Sequence, residues 1–217
     1  MAELTRFAFT KLGRARFLSH LDLMRTFRRA FRRAGVVLKL SEGFNPHPYF
    51  NTAAPLPVGV GGLRELCDTE LERPEECAGL AERLGSMLPE GISVLEAYIP
   101  ERPLNETAYS LYEITFEFEQ PVSENIHTLF TGQPLVVPKR SKTGIKDIDI
   151  QPSIKQISFT EKSGKTLEVR AILCAGDSPL NPEYLAEAIR IYLPDAGLMR
   201  TYFERQGFLD QKFEDFG

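Results

Sequence analysis

Residues 17–60 read FLSHLDLMRTFRRAFRRAGVVLKLSEGFNPHPYFNTAAPLPVGV, and the change of pattern inside this stretch decides the fold. Ser19 stands before an apolar-periodic run with Asp22 three residues on, a capping-box arrangement, and Leu18 is placed to staple onto Leu23. A helix is therefore expected from about His20 to Gly35, the residue type that closes a helix in the left-handed conformation. At about 100° per residue, Leu23, Met24, Phe27, Ala30, Phe31 and Ala34 gather on one side. Arg25, Arg28, Arg29, Arg32 and Arg33 gather on the other. Those arginines are either a solvated face that complements the C-terminal end of the helix dipole or a phosphate-binding face. No acidic residue occurs from Thr26 to Lys39 to neutralise them, which favours an anionic partner.

After the helix, Val36 to Leu40 is expected as the second strand, leading into SEGFNPHP. Pro46 and Pro48 remove two backbone donors and push Asn45 and His47 into extended conformations, so His47 belongs to a rigid loop. His20 and His47 are two of three histidines in the chain. Each has a packing reading and a ligand or general-base reading, and whether they meet depends on the topology. The small-residue run through Gly59, Gly61 and Gly62 permits a bulge or a close approach, and it matches neither a Walker loop nor a dinucleotide fingerprint.

Working outward, Phe7 and Phe9 alternate with polar residues in a strand that begins near Leu4. Arg64 to Leu71 reads as a strand. Pro74 opens a helix whose stripe is Cys77, Leu80, Ala81, Leu84 and Leu88, and Ile92 to Ile99 is a further strand. The first half thus reads β-α-β-β-α-β, the order of a ferredoxin-like unit. The stretch PERPLNET, with Pro100 and Pro103, is the linker candidate, giving domains over 1–102 and 106–217.

In the second half, Tyr109 to Glu119 alternates as a strand, a short helix from about Ser123 to Phe130 carries His127 as a surface or packing residue, and Leu135 to Pro138 is apolar. Lys139, Arg140, Lys142 and Lys146 form a second basic patch around Gly144. Asp147 and Asp149 would fall on one face if this stretch is a strand, but a hard cation wants more oxygen ligands than it offers, so a structural or salt-bridging role is expected. Ser158 to Thr160 and Leu167 to Leu173 make a hairpin. A helix starts at Asn181, and Met199 to Phe208 closes the chain as a strand. The element order repeats, so the expected fold class is α+β with two tandem ferredoxin-like units and antiparallel sheets.

The net charge of -4 over 217 residues conceals an asymmetry. Residues 1–50 hold ten Lys or Arg against three acids, whereas residues 60–130 hold fifteen acids against four arginines. A field of one sign over one face steers partners of the other sign, so the local values matter more than the total. Cys67, Cys77 and Cys174 are odd in number and include no CxxC pair, which argues against a disulfide framework or a cysteine zinc site and for the reducing cytoplasm. No apolar run has the length of a signal-peptide core or a membrane span. No metal or cofactor is expected.

The motifs FLSHLDLMRTFRRAFRRAGVVLKLSEGFNPHP, APLPVGVGG and KRSKTGIKDIDIQPSIK resemble the radical-SAM-associated domain family, from about Leu4 to Phe208. This family has no established activity and is found beside or fused behind a cobalamin-binding radical SAM protein. The resemblance implies a bacterial accessory protein whose genes often lie near RNA-processing and ribosomal genes. Lacking CxxxCxxC, this chain cannot itself hold the three-cysteine iron–sulfur cluster of such partners, so it would act on a radical SAM protein in trans. The arrangement also resembles the tandem ferredoxin-like RNA endonucleases and binders of CRISPR systems, in which a histidine near the first helix can serve as a general base.

Three functions follow. The first is RNA recognition, of tRNA or rRNA, by Arg25, Arg28, Arg29, Arg32 and Arg33 with Lys139, Arg140, Lys142 and Lys146 as a second clamp. In it Phe44, Asn45 and His47 form a loop where Phe44 or Tyr49 stacks on an unpaired base. The second is metal-free RNA cleavage, with His20 or His47 as general base. The third is a protein scaffold that binds no nucleic acid.

Overall fold

The computed structural model describes residues 4–122, 125–141, 144–176 and 178–217. In the first half β1 (Leu4–Lys11), α1 (His20–Arg33), β2 (Phe50–Thr52), β3 (Gly61–Glu70), α2 (Leu80–Gly85) and β4 (Ile92–Tyr98) follow in order. The strands lie side by side as β4-β1-β3-β2, each pair antiparallel. The second half runs β5 (Tyr109–Phe118), α3 (Asn125–Leu129), β6 (Val136–Ser141), β7 (Gly144–Asp149), β8 (Ile154–Ser163), β9 (Thr166–Cys174), α4 (Glu183–Tyr192) and β10 (Leu198–Leu209). Its main strands lie as β10-β5-β9-β8, again antiparallel, and β6 pairs only with β7 as a separate hairpin. The protein is an α+β fold with a largely antiparallel sheet.

One parallel contact joins the two sets of strands into a single eight-stranded sheet: Glu204 and Arg205 of β10 lie opposite Gly61 and Gly62 of β3. β2 is three residues long and covers only Cys67 to Thr69, so the first part of the same β3 edge is left for β10. A Cβ on Gly61 would sit at ordinary contact distance, 3.6 Å, from the Phe203 carbonyl, whereas one on Gly62 would meet the Glu65 side chain of its own strand at 2.5 Å, so Gly62 makes room for Glu65. The segment around the expected linker forms a short 3-10 turn, Leu104–Glu106, between β4 and β5.

Apolar alternation along the strands builds three clusters. Phe7 and Phe9 of β1 meet Phe27 and Phe31 of α1 edge to face, with Leu80 and Leu84 of α2 beside them. Tyr112, Ile114, Phe116 and Phe118 of β5 pack with Leu185, Ala188 and Ile189 of α4. Ala8, Leu66, Phe208 and Phe216 form a smaller cluster. Each fully buried Phe or Leu contributes roughly 1.5–3 kcal/mol, so the apolar face of α1 fixes the helix and leaves the arginine face free for other work.

Three sequence expectations need correction. Val36 to Leu40 is not a strand. It makes isolated bridges only, Leu38 with Leu71 and Leu40 with Pro48, because it lies alongside the end of β3, whose last residue is Glu70. The helix expected from Pro74 to Leu88 is split into a 3-10 turn, Pro74–Cys77, and α2, because Gly79 between them is left-handed with φ +75°. The second half holds two strands more than the expected order, since residues 136–149, the basic patch among them, fold into the β6–β7 hairpin.

Candidate nucleic-acid interface

α1 begins where the capping box places it. The Asp22 amide donates to the Ser19 hydroxyl at 3.2 Å, and that hydroxyl donates to the Asp22 carboxylate at 2.7 Å. These bonds, with Arg25 at 3.0 Å, hold the Asp22 carboxyl below the usual carboxylate range. At the other end Gly35 takes φ +68° and the chain turns away, with the Val36 amide donating to the Phe31 carbonyl at 3.0 Å.

All five arginines are exposed. Arg25 is engaged by Asp22, and Arg33 donates to the Met87 carbonyl. Among the described residues the side chains of Arg28, Arg29 and Arg32 make no hydrogen bond or ion pair. This separates the three guanidiniums from structural arginines such as Arg6, clamped on Asp68 at 2.6 Å and 3.0 Å.

The loop after α1 is closed on itself. The Ser41 amide donates to the His47 carbonyl at 2.9 Å, the His47 amide donates to the Ser41 hydroxyl at 3.2 Å, and Leu40 bridges Pro48. Phe44 at the tip is fully exposed and Asn45 is exposed beside it. His47 Nδ1 lies 2.9 Å from the Asn45 carbonyl and 3.1 Å from the Ser41 hydroxyl, so the ring is held from both sides.

His20 and His47 meet in one cavity. It measures about 330 Å³ and is lined also by Met24, Arg25, Arg28 and Tyr49. α1 supplies His20, Arg25 and Arg28 from successive turns, and the closed loop supplies His47 and Tyr49. His20 is half-buried, and its pKa is lowered first by burial and then by Lys11, so the ring is neutral at pH 7. Lys11 itself is only 1% exposed at the end of β1; burial lowers its pKa against the opposing pull of Glu65. Lys11, His20 and Glu65 surround a space of about 10 Å³, the size of one water molecule. Burial likewise raises the Tyr49 hydroxyl, which stays protonated as a donor.

The other expected residues lie elsewhere. Lys139 and Lys146 are exposed cross-strand partners on β6 and β7, a hairpin that packs on α4 through Val137, whereas α1 packs in the other cluster. Of Arg140 only the backbone is described, in β6, and Lys142 lies outside the described residues. Asp149 accepts from the Leu135 and Gln151 amides at 2.8 Å and 3.0 Å, a turn-closing role. His127 stacks on Phe159 at 4.8 Å. Among the described residues no group of three His, Cys, Asp or Glu is placed to hold a metal ion, and no helix is long and apolar enough to cross a membrane. Cys67 is buried, and burial pushes its thiol well up, away from reactivity.

Sequence reasoning missed two features. The larger cavity, about 480 Å³, lies over the strands of the second half and is lined by Arg16, Glu113, Glu168, Arg170, Tyr202 and Glu204. Its carboxylates suit a phosphodiester poorly, so the smaller cavity on α1 is the better candidate for an anion. The second is the buried pair of Arg205 with Glu65, for which the sequence carries no local signal: Arg64 precedes Glu65, and Glu204 and Gln206 flank Arg205.

A family model described as "Uncharacterized protein conserved in bacteria (DUF2344)" matches residues 5–182. The chain belongs to this family. No curated protein matches it in sequence. Among solved structures it is similar to a chain of a Cbf5-Nop10-Gar1 complex, with 12% identity and a TM-score of 0.50 over 93% of this chain and 49% of that one. It is also similar to a chain of an archaeal box H/ACA sRNP Nop10-Cbf5 complex, with 13% identity and a TM-score of 0.51 over 98% of this chain and 49% of that one. At these identities the likeness is one of fold, and this chain spans about half the length of the chains it matches.

Proposed function

We propose that this DUF2344 protein binds RNA through the exposed face of α1, with Arg25, Arg28, Arg29, Arg32 and Arg33 on phosphates and the Phe44–His47 loop beside them. The observation that carries the reading is that Arg28, Arg29 and Arg32 have no partner among the described residues while their helix is fixed by Phe27 and Phe31 beneath. Free guanidiniums on a rigid scaffold lose little freedom on meeting phosphate oxygens, which they match with planar, forked donors. RNA is favoured over another polyanion by the exposed aromatic Phe44 in the loop that carries His47 and by the sRNP complexes among the structures of similar fold. Lys139, Arg140, Lys142 and Lys146 would make a second, separate contact. In a wider reading the strand orders β4-β1-β3-β2 and β10-β5-β9-β8 are two ferredoxin-like units in tandem, with β6–β7 inserted in the second. The resemblance to radical-SAM-associated proteins makes the chain an accessory subunit that presents RNA to such an enzyme in trans; co-purification of the two proteins tests this.

The test of RNA binding is charge reversal. Arg28→Glu, Arg29→Glu and Arg32→Glu together should abolish binding of a labelled RNA while the circular-dichroism spectrum and melting temperature stay close to wild type. Unchanged affinity would leave the face as a merely solvated one.

A second reading, metal-free RNA cleavage, is favoured by one observation: His20 and His47 line the same cavity with two arginines. There a ring-nitrogen lone pair of His20 or His47 would take the proton of a ribose 2′-hydroxyl as its oxygen attacks the adjacent phosphorus and the bond from phosphorus to the next 5′-oxygen breaks, that oxygen taking a proton from water, and Arg25 and Arg28 would stabilise the charge on the phosphate oxygens. Incubation with labelled RNA in EDTA should then give product that His20→Ala or His47→Ala removes.

A further inference from the structure

The cavity that holds the two histidines does not end at Arg28. Arg28 and Pro48 also line a second cavity of about 340 Å³, whose remaining walls include Phe31, Arg32, Val37 and Leu38. The two compartments share a wall and differ in chemistry. The first offers two imidazoles, two guanidiniums and a phenol. The second offers apolar walls with guanidiniums only at Arg28 and Arg32. No carboxylate lines either compartment, although the chain as a whole is acidic. Charge complementarity therefore selects an anionic occupant, and the apolar walls require that the anion carry a flat or apolar group close to its charge.

A nucleotide has that constitution, a phosphate next to an aromatic base. We infer, resting on the RNA-binding reading above, that this groove accepts one unpaired nucleotide of a single strand, phosphate in the histidine compartment and base in the apolar one. The phosphate lies between Arg25 and Arg28 beside His20 and His47. The base lies against Val37 and Pro48. Each compartment falls in the size range of small-ligand sites, roughly 300–1,000 Å³. A duplex keeps its bases stacked inside and cannot deliver one to such a wall, so the groove discriminates single strands from double ones.

Val37 offers the test, because it lines the apolar compartment yet is 52% exposed, so a larger side chain there fills the compartment without entering the core. Wild type, Val37→Trp and the double variant Arg28→Glu/Arg32→Glu are titrated by fluorescence anisotropy with a labelled single-stranded RNA decamer and with the same decamer in duplex form. Wild type should prefer the single strand by about tenfold or more. Val37→Trp should lose that preference while keeping a salt-dependent affinity for both forms, and the arginine variant should lose binding of both. Val37→Trp that keeps the wild-type preference overturns the groove and leaves the RNA reading standing; wild type that binds neither RNA overturns both. A second measurement needs no variant. Adenosine monophosphate added to wild type should shift the NMR methyl signals of Val37 and Leu38 together with the ring signals of His20 and His47. Shifts at the histidines alone would mean that only the phosphate is held, and would overturn the base compartment.

Discussion

Arg205→Met should be among the most damaging single changes in this protein, and the structure supplies the magnitude. Arg205 is 2% exposed and lies between β3 and β5. Its Nε donates to one Glu65 carboxylate oxygen at 2.9 Å and its Nη2 to the other. Nη2 also donates to the Ala54 carbonyl, Nη1 reaches the Tyr112 hydroxyl at 3.4 Å, and the guanidinium lies 4.4 Å above the Phe208 ring. Removing the cation leaves the buried Glu65 carboxylate without its hydrogen-bonded partner and with only the Lys11 charge near it, which costs about 3–5 kcal/mol. At roughly 2–4 °C per kcal/mol for a chain of this size, the melting temperature should fall by about 6–20 °C. Adding Glu65→Leu removes the orphaned carboxylate and should restore part of the loss, the rest remaining because Lys11 then lacks its counter-charge. Urea unfolding of wild type, single and double variants measures both steps. A loss below about 1 kcal/mol in Arg205→Met, or a double variant no more stable than the single one, would refute the idea that this pair is a closed, dry contact at the seam between the two sets of strands.

Other perturbations have defined outcomes. Gly91→Ala should cost about 2 kcal/mol or more in urea unfolding, because Gly91 has φ +88° and a Cβ there would run into the Leu12 carbonyl; a neutral result would contradict the tight turn before β4. Phe27→Ala, which empties the space between Phe7 at 5.0 Å and Phe9 at 4.9 Å, should cost about 3–5 kcal/mol and release α1, so RNA affinity should fall with stability. His20 has a folded-state pKa below its ordinary 6.5, so below that pH the unfolded chain binds the more protons. Stability should therefore drop as the pH falls from 7 towards 5, and His20→Gln should flatten that part of the profile; an unaltered profile would place the acid sensitivity elsewhere.

What was legible in the sequence was local. The capping box at Ser19, the 3.6-residue spacing of Phe27 and Phe31, and the arginines between them all act within a few residues, and α1 formed at the expected place. The second strand was misplaced because Val36 to Leu40 has strand composition but too short a stretch of β3 to pair with, an end-of-strand effect that only the sheet reveals. The meeting of His20 with His47 depends on the Ser41–His47 closure that folds the loop back along α1, and the prolines announced its rigidity without its direction. Lys11, Glu65 and Arg205 belong to no local motif. Glu65 and Arg205 come together only because β10 adds in parallel to β3 across 140 positions of sequence, which nothing local announces.

The measurement that tests the account most directly is the salt dependence of binding to a labelled single-stranded RNA. If Arg28, Arg29 and Arg32 each neutralise one phosphate, the affinity should fall with salt along a log–log slope of about -2, from roughly 0.7 per contact on a single strand. Replacing the three with glutamate should remove both the affinity and the slope. An RNA that binds with a flat salt dependence, or that binds the triple variant as it binds wild type, would contradict a phosphate-contacting arginine face on α1.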